Sequence, residues 1–154
     1  MERTFVAIKP DGVKRGLIGE IIKRFEQKSY KITALKMLNV TPEMAAKHYE
    51  EHYGKPFYPR LIKFITLAPV VAMAIEGENA IAGVRHIVGA TNPDNADVGT
   101  IRADFSSLAS TNLIHASDSL ESAKRELAIY FNENEYCSDY KTMFELIQDD
   151  LNRE

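Results

Sequence analysis

Cysteine is almost missing from this chain of 154 residues. Cys137 stands alone, so there is no internal disulfide framework, and a reducing, cytoplasmic compartment is expected. An excess of charge of one sign is missing too. Nineteen Lys and Arg against twenty-two Asp and Glu leave a formal net charge of -3. That balance gives no general attraction to a polyanion or an anionic bilayer, so neither sequence-specific nucleic-acid binding nor membrane association is expected. Long hydrophobic runs are absent: Leu67 to Ile75, the most apolar stretch, is interrupted by Pro69 and falls far short of the ~20 residues that span a bilayer. Met1-Glu2-Arg3-Thr4 leads straight into a strand-like run, with no apolar segment behind a basic start to mark a targeting peptide. The usual phosphate loops are missing as well. The only Gly-Lys pair, Gly54-Lys55, precedes Pro56 rather than Ser or Thr, and Gly12, Gly16 and Gly19 make no dinucleotide fingerprint. Any phosphate site must therefore be assembled from side chains.

What is present has the proportions of one ordinary domain over residues 1–154, with 45% hydrophobic and 27% charged residues. Phe5-Val6-Ala7-Ile8 reads as a strand stopped by the turn-forming Lys9-Pro10-Asp11-Gly12. Gly19 to Lys28 has helical spacing at Ile21, Ile22 and Phe25, and Tyr30 to Val40 reads as a half-buried strand. Thr41-Pro42 opens a helix expected to run to about Tyr53, where Gly54-Lys55-Pro56 closes it. Phe57 to Phe64 is a helical arm, Val70 to Ile75 a buried strand, and Asn79 to Val88 a further helix. Periodicity then fades from Gly89 to Thr111, and a loop that long in a compact domain is usually functional. Leu113-Ile114 is a short strand, and Ser119 caps a helix that reaches Phe131. This order predicts an α+β sandwich, with helices on one face of a mostly antiparallel four-stranded sheet.

Of the four histidines, His48, His52, His86 and His115, the last has the most suggestive surroundings. Asn112, Ser117 and Asp118 flank it on the way into a helix, and a helix N-terminus offers free amides and a positive dipole end to phosphate. A nucleophilic imidazole needs its far nitrogen held by a carboxylate, so that the attacking nitrogen keeps its lone pair. Glu126, on the helix downstream, is placed to do so. Read plainly, Asp118 and Ser119 are only helix caps, a role compatible with catalysis. Lys9, Lys55, Arg85 and Arg102 are the candidate phosphate ligands by position, although single surface cations are most often merely solvated. A rival pattern is His48-Tyr49-Glu50-Glu51-His52, the H-x-x-E-H spacing of some zinc peptidases. That chemistry needs a third protein ligand, and no companion motif follows.

The run Asn112-Leu113-Ile114-His115-Ala116-Ser117-Asp118 resembles the active-site signature of nucleoside diphosphate kinases. The first strand and turn, Thr4 to Val13, resemble that family's N-terminus. So do His48-Tyr49, Lys55-Pro56-Phe57-Tyr58, Pro69 to Met73, Gly89 to Pro93 and Gly99 to Phe105, and the likeness runs from about Arg3 to Glu135. The resemblance implies a ferredoxin-like βαββαβ sandwich, its four-stranded antiparallel sheet covered by helices. It also implies a ping-pong transfer of the γ-phosphate of a nucleoside triphosphate, typically ATP, through a phosphohistidine on His115 to a nucleoside diphosphate. Glu126 and Ser117 would assist His115. Lys9, Tyr49, Arg85, Thr91 and Arg102 would bind the phosphates, and Lys9 and Asn112 the ribose hydroxyls. Phe57, with Leu61 nearby, would stack on the base and tolerate any base, since every base has a π-face. Mg2+ would bridge the phosphates mostly through water, with Asp118 the nearest carboxylate. Residues 89–112 would form trimer contacts within a homo-hexamer.

Four places depart from the family pattern. Lys55 stands where arginine is common, replacing a bidentate clamp with a point charge. Ala109 replaces a usual valine beside the base. Ser110-Thr111 replaces a common Gly-Arg pair. The tail from Met143 to Leu151 reads as an extra amphipathic helix.

Overall fold

The computed structural model describes residues 1–153. Its sheet has four strands, β1 (Glu2–Ile8), β2 (Lys31–Leu38), β3 (Val70–Gly77) and β4 (Ile114–Ala116), in the spatial order β2-β3-β1-β4. Every neighbouring pair is antiparallel, which is the expected βαββαβ arrangement. β1 is central, pairing Phe5 with Ala74 and Ala7 with both Ala72 and His115. A strand with a neighbour on each edge and a layer on each face has no solvent side, and Thr4 through Ile8 are all buried. β3 is apolar on both faces for the same reason.

Among the described residues eight α-helices accompany the sheet, all but the last packing on it: α1 (Pro10–Lys14), α2 (Ile18–Gln27), α3 (Pro42–His48), α4 (Tyr58–Ile65), α5 (Ala80–Val88), α6 (Ile101–Phe105), α7 (Leu120–Tyr130) and α8 (Met143–Leu151). They lie on both faces, not on one as the pattern suggested. Phe5, Ala7, Ala72 and Ala74 point toward Ala45 of α3, Ile65 of α4 and Leu127 of α7. Val6, Ile8, Met73 and Ile75 point toward Ile21 of α2, Val84 of α5 and Ile101 of α6. The continuous apolar runs of β1 and β3 require this second layer, because a half-exposed sheet would alternate polar with apolar residues. Each fully buried Phe or Ile contributes about 1.5–3 kcal/mol.

Helix boundaries follow local chemistry. Thr41 accepts from the Met44 amide at 3.2 Å, Thr100 from Ala103 at 3.2 Å, and Ser119 from Ser122 at 3.0 Å, each satisfying an orphan N–H of a first turn. α3 stops at His48, and Glu50–His52 form a separate tight turn, so the helix is shorter than the expected run to Tyr53. The 89–111 segment is less irregular than its sequence, since it contains α6 and two single-turn helices. Past α7 the tail returns to the edge strand. Cys137 N donates to Thr33 O at 2.7 Å, and Tyr140 OH to Ile32 O at 2.7 Å. Both contacts fall at the irregularity where β2 shifts register between Ile32 and Ala34. α8 is amphipathic as expected and is capped by Thr142 and Glu145, yet none of its residues is buried.

Candidate active site

β4 carries His115 on the face that packs under α3 and α7. The helical spacing of Ala123, Leu127 and Tyr130 turns one side of α7 inward, and Glu126, one position from Leu127, is carried in with them. Its carboxylate is almost fully buried, and His115 Nε2 lies 2.9 and 2.8 Å from its two oxygens. A carboxylate can only accept, so Nε2 holds the proton and Nδ1 keeps a lone pair. Ser117 Oγ donates to the same carboxylate at 2.6 Å. The expected triad of His115, Glu126 and Ser117 is therefore in contact.

A cavity of about 270 Å³ opens before His115, lined among others by Lys9, Tyr49, Arg85, Thr91, Arg102, Asn112, Asp118 and Arg125. The cations converge from four segments. Lys9 sits where β1 ends, and its Nζ donates to Asn112 Oδ1 at 2.9 Å. Asn112 Nδ2 in turn donates to Thr91 O at 3.0 Å. Arg102, from α6, is buried and spans three carbonyls: Asn112 at 3.3 Å, Gly89 at 3.0 Å and Ile114 at 2.6 Å. Arg85 donates to Ala116 O at 3.1 Å. Arg85 and Arg102 thus brace the backbone around His115 while facing the cavity, and Lys9 braces the Asn112 side chain. A larger groove, about 620 Å³, lies between α8 and the Lys28–Lys31 and Glu76–Glu78 segments, but none of the expected site residues lines it.

The backbone at this point is strained. Leu113 is buried and adopts a φ of +71°, a conformation that costs a side-chain-bearing residue of order 1–3 kcal/mol. The first turn holds it there: Lys9 N donates to Leu113 O at 2.8 Å, and Leu113 N donates to Asp11 Oδ2 at 3.1 Å. A Cβ at Gly12 would meet Ile8 Cγ2 at 2.7 Å and Leu113 O at 3.2 Å, which is why a glycine sits at that approach.

Electrostatics follow from the crowding. Burial, then the neighbouring Arg102, lowers the Lys9 ammonium to about 8. Arg102 itself is lowered to about 10 by burial and then by Arg85. Burial raises the Tyr49 phenol to about 12. His48 is held well below the ordinary imidazole value, first by burial and then by His115 and Arg125. Asp118 is exposed, and its carboxyl is lowered chiefly by a hydrogen bond from Ser122. Because protonated Lys9 attracts phosphate and the neutral amine does not, affinity for a nucleoside diphosphate should fall as pH rises through about 8. Lys9→Gln should flatten that limb in a calorimetric pH series, and an unchanged alkaline limb would refute the assignment. Stability moves the other way. From about 8 up to the ordinary 10.5 the native state binds fewer protons than the unfolded chain, so the Lys9 contribution to stability increases with pH.

Phe57 and Leu61 do not line the polar cavity. Phe57 is half exposed at the start of α4, and Leu61 packs partly into the core. His52 joins the two regions, since it lines the cavity and sets its ring 5.4 Å from that of Phe57. Lys55 is exposed, with Nζ 3.4 Å from His52 Nδ1. The H-x-x-E-H reading does not hold geometrically, because α3 ends at His48 and the two histidines do not share a helical face. His48 turns inward instead, with Nδ1 2.9 Å from Tyr130 OH and Nε2 3.7 Å from Glu126. Nothing local in the sequence marks Arg125, Tyr130 or Asp11 for the site, and the spacing of His48 with His52 points to zinc chemistry instead. Tyr130 could be reached only from Glu126, one helical turn before it on the same face of α7.

The fold and cavity define an α+β sandwich that presents cations and a carboxylate-backed histidine at one end of its sheet. A sequence model of the family described as nucleoside diphosphate kinase matches residues 2–136. The nucleoside diphosphate kinase of Moorella thermoacetica is 59% identical over 135 residues, covering 88% of this chain and 97% of its own. That of Methanocaldococcus jannaschii is 58% identical over 134 residues, covering 87% and 96%. Among solved structures, a halophilic nucleoside diphosphate kinase from Halobacterium salinarum, in complex with CDP, superposes with a TM-score of 0.91 at 43% identity, covering 95% of this chain and 97% of that one. A nucleoside diphosphate kinase family protein from Babesia bovis gives 0.92 at 45%, covering 96% and 99%. The chain belongs to the nucleoside diphosphate kinase family. It is a phosphotransferase that acts on nucleotides, in a class of reaction that generally requires a divalent cation. The tail carrying α8 lies beyond the family match. Among the described residues no helix is long and apolar enough to cross a membrane.

Proposed function

We propose that the chain works by a ping-pong mechanism in which His115 Nδ1 is the nucleophile. The observation that carries this is the buried Glu126 carboxylate, which occupies Nε2 and leaves Nδ1 as the nitrogen with a free lone pair. Nδ1 forms a bond to the γ-phosphorus as the bond from that phosphorus to the β-phosphate oxygen breaks, and a nucleoside diphosphate departs. A β-phosphate oxygen of a second diphosphate then attacks the phosphorus, and the N–P bond breaks. Lys9, Arg85 and Arg102 stabilise charge on the transferred group, with Tyr49 and Thr91 as further phosphate ligands, since placement and electrostatics supply most of the catalysis in phosphoryl transfer. Asn112 and Lys9 meet the ribose. Residues 1–154 act as one domain.

The residues at the cavity edge fit hydrated Mg2+. Asp118 offers an exposed hard oxygen donor and no competing thiolate lies near, so the ion would be held by the phosphates, water and this carboxylate. When bound it would neutralise charge on the β- and γ-oxygens. Residues 89–112 present Val98 and Leu108 almost or largely exposed, which supports contacts between copies in a homo-hexamer. A mass measurement in solution giving a monomer would refute that assembly. The lone free cysteine is in keeping with a cytoplasmic location.

The deciding experiment uses γ-labelled ATP. Label should enter the protein, be lost in acid, survive base, and move to added GDP. No labelled protein, or labelling that persists in His115→Ala, would overturn the proposal. At the base site, Phe57→Ala should weaken nucleotide binding by ~1–3 kcal/mol with nearly equal losses for purines and pyrimidines. A large change in base preference would mean that base edges are being read.

A further inference from the structure

Behind the nucleophile the structure places a second constellation. His48 Nε2 is buried and, among the described residues, has no hydrogen-bond partner. It points toward Glu126 Oε2 at 3.7 Å, the oxygen that His115 Nε2 approaches at 2.8 Å. One ligand atom from each of His48, His115 and Glu126 lies within 4.8 Å of the other two. A buried nitrogen without a partner is costly and calls for an explanation.

We propose that His48, His115 and Glu126 form a binding site for a borderline divalent transition metal such as Zn2+, and that its occupancy arrests the phosphotransfer. Two imidazoles and a carboxylate are the donor set of open, three-ligand zinc sites. In tetrahedral coordination such donors stand roughly 3.3 Å apart, and the 2.8 and 3.7 Å separations bracket that figure. The ligands are oriented from behind, by Tyr130 OH at His48 Nδ1 (2.9 Å) and Ser117 Oγ at Glu126 Oε1 (2.6 Å). All three residues line the cavity, so water can complete the shell. On binding, the metal takes the Nε2 lone pair of the other neutral tautomer of His115, whose ring proton is then carried on Nδ1.

The ion differs from the one that accompanies nucleotide. Mg2+ prefers oxygen ligands in an octahedron, whereas paired imidazoles favour Zn2+, Co2+ or Ni2+. Lys9, Arg85 and Arg125 oppose a further cation, which makes the site reversible rather than structural. The arrest rests on the proposed role of His115. With the ring proton on Nδ1, that nitrogen has no free lone pair to attack phosphorus, and the metal also takes the carboxylate that would stabilise the phosphorylated ring.

The test adds Co2+ alone, then Zn2+ alone, to the nucleotide-free full chain in chelator-free buffer containing excess Mg2+. About one Co2+ per chain should give the intense visible absorption of a four-coordinate nitrogen and oxygen site. Zn2+ should displace it and a chelator abolish it. His52→Gln should keep the band. His48→Gln should weaken binding about a hundredfold or more, because even groups outside the coordination sphere commonly contribute about 10–100-fold. No band, or a band unchanged in His48→Gln, overturns the site. If His48→Gln fails to fold, the histidine nitrogen resonances of the unmodified chain decide: Zn2+ must shift both His48 and His115, and a shift in neither refutes the site. Zn2+ should also slow labelling by γ-labelled ATP, with recovery on chelation. Normal labelling of Co2+-loaded protein overturns the arrest. Protein that never labels yet gives the Co2+ band would refute the phosphohistidine reading and leave the site standing.

Discussion

Glu126→Ala should slow phosphorylation of His115 by about 10²–10⁴-fold, a range set by the loss of the equivalent carboxylate in other histidine-dependent enzymes. The carboxylate does two things that no other side chain in contact with His115 can do. It fixes the proton on Nε2, so that the lone pair resides on Nδ1, and it offsets the charge that develops on the ring as the N–P bond forms. The change should appear in the single-turnover labelling rate rather than in nucleotide affinity, because the phosphate-facing groups Lys9, Arg85 and Arg102 bond Asn112 and backbone carbonyls and not Glu126. Glu126→Gln is the milder companion. Its carbonyl accepts from one of the two donors, His115 Nε2 or Ser117 Oγ, while its amide group opposes the other. An intermediate rate is expected. A labelling rate within about threefold of the unmodified chain in Glu126→Ala, with a normal thermal melt, would show that the histidine is oriented by something else.

The second large effect is on stability. Arg102→Ala takes the shared partner from the carbonyls of Gly89 and Ile114, and leaves the Asn112 carbonyl with only the Ile114 amide. An unsatisfied buried polar group costs about 1–3 kcal/mol. With partial access of water the sum should be about 3–5 kcal/mol, lowering Tm by about 10 °C for a chain of this size. Arg102→Lys should recover little, because one ammonium cannot span three carbonyls set around a planar fork. Loss of the fork also releases the carbonyls on either side of Leu113, so activity should fall together with Tm. A Tm within about 2 °C of the unmodified chain would mean that the arginine serves the phosphates alone.

Much of this was legible in the sequence wherever periodicity ran long enough. α2, α5 and α7 each bury one stripe, and their spacing predicted them. β1 and β3 were clear from unbroken apolar runs, although those same runs should have argued for helices on both faces. α1 and α6, at five residues each, are too short to show a period and depend on caps and tertiary contacts. The end of α3 is not marked by periodicity, because apolar and charged residues continue past His48 while the chain breaks into a separate turn. Within the site, His115, Asn112 and Ser117 sit in one run and could be read together. Glu126 was reachable because α7 follows directly. His48 was not, since its neighbours Glu126 and Tyr130 lie far along the chain, and its local spacing with His52 pointed to a different chemistry.

The bond from Lys9 N to Leu113 O has a consequence for how the protein is made. It ties the end of the first strand to the entrance of the last, so the ribosome must deliver nearly the whole α/β body before the nucleophile acquires its surroundings. A chain that stops short of β4 lacks His115, and one that stops short of α7 lacks the carboxylate behind it. Nucleotide turnover during refolding should therefore rise in step with the final burial of the sheet.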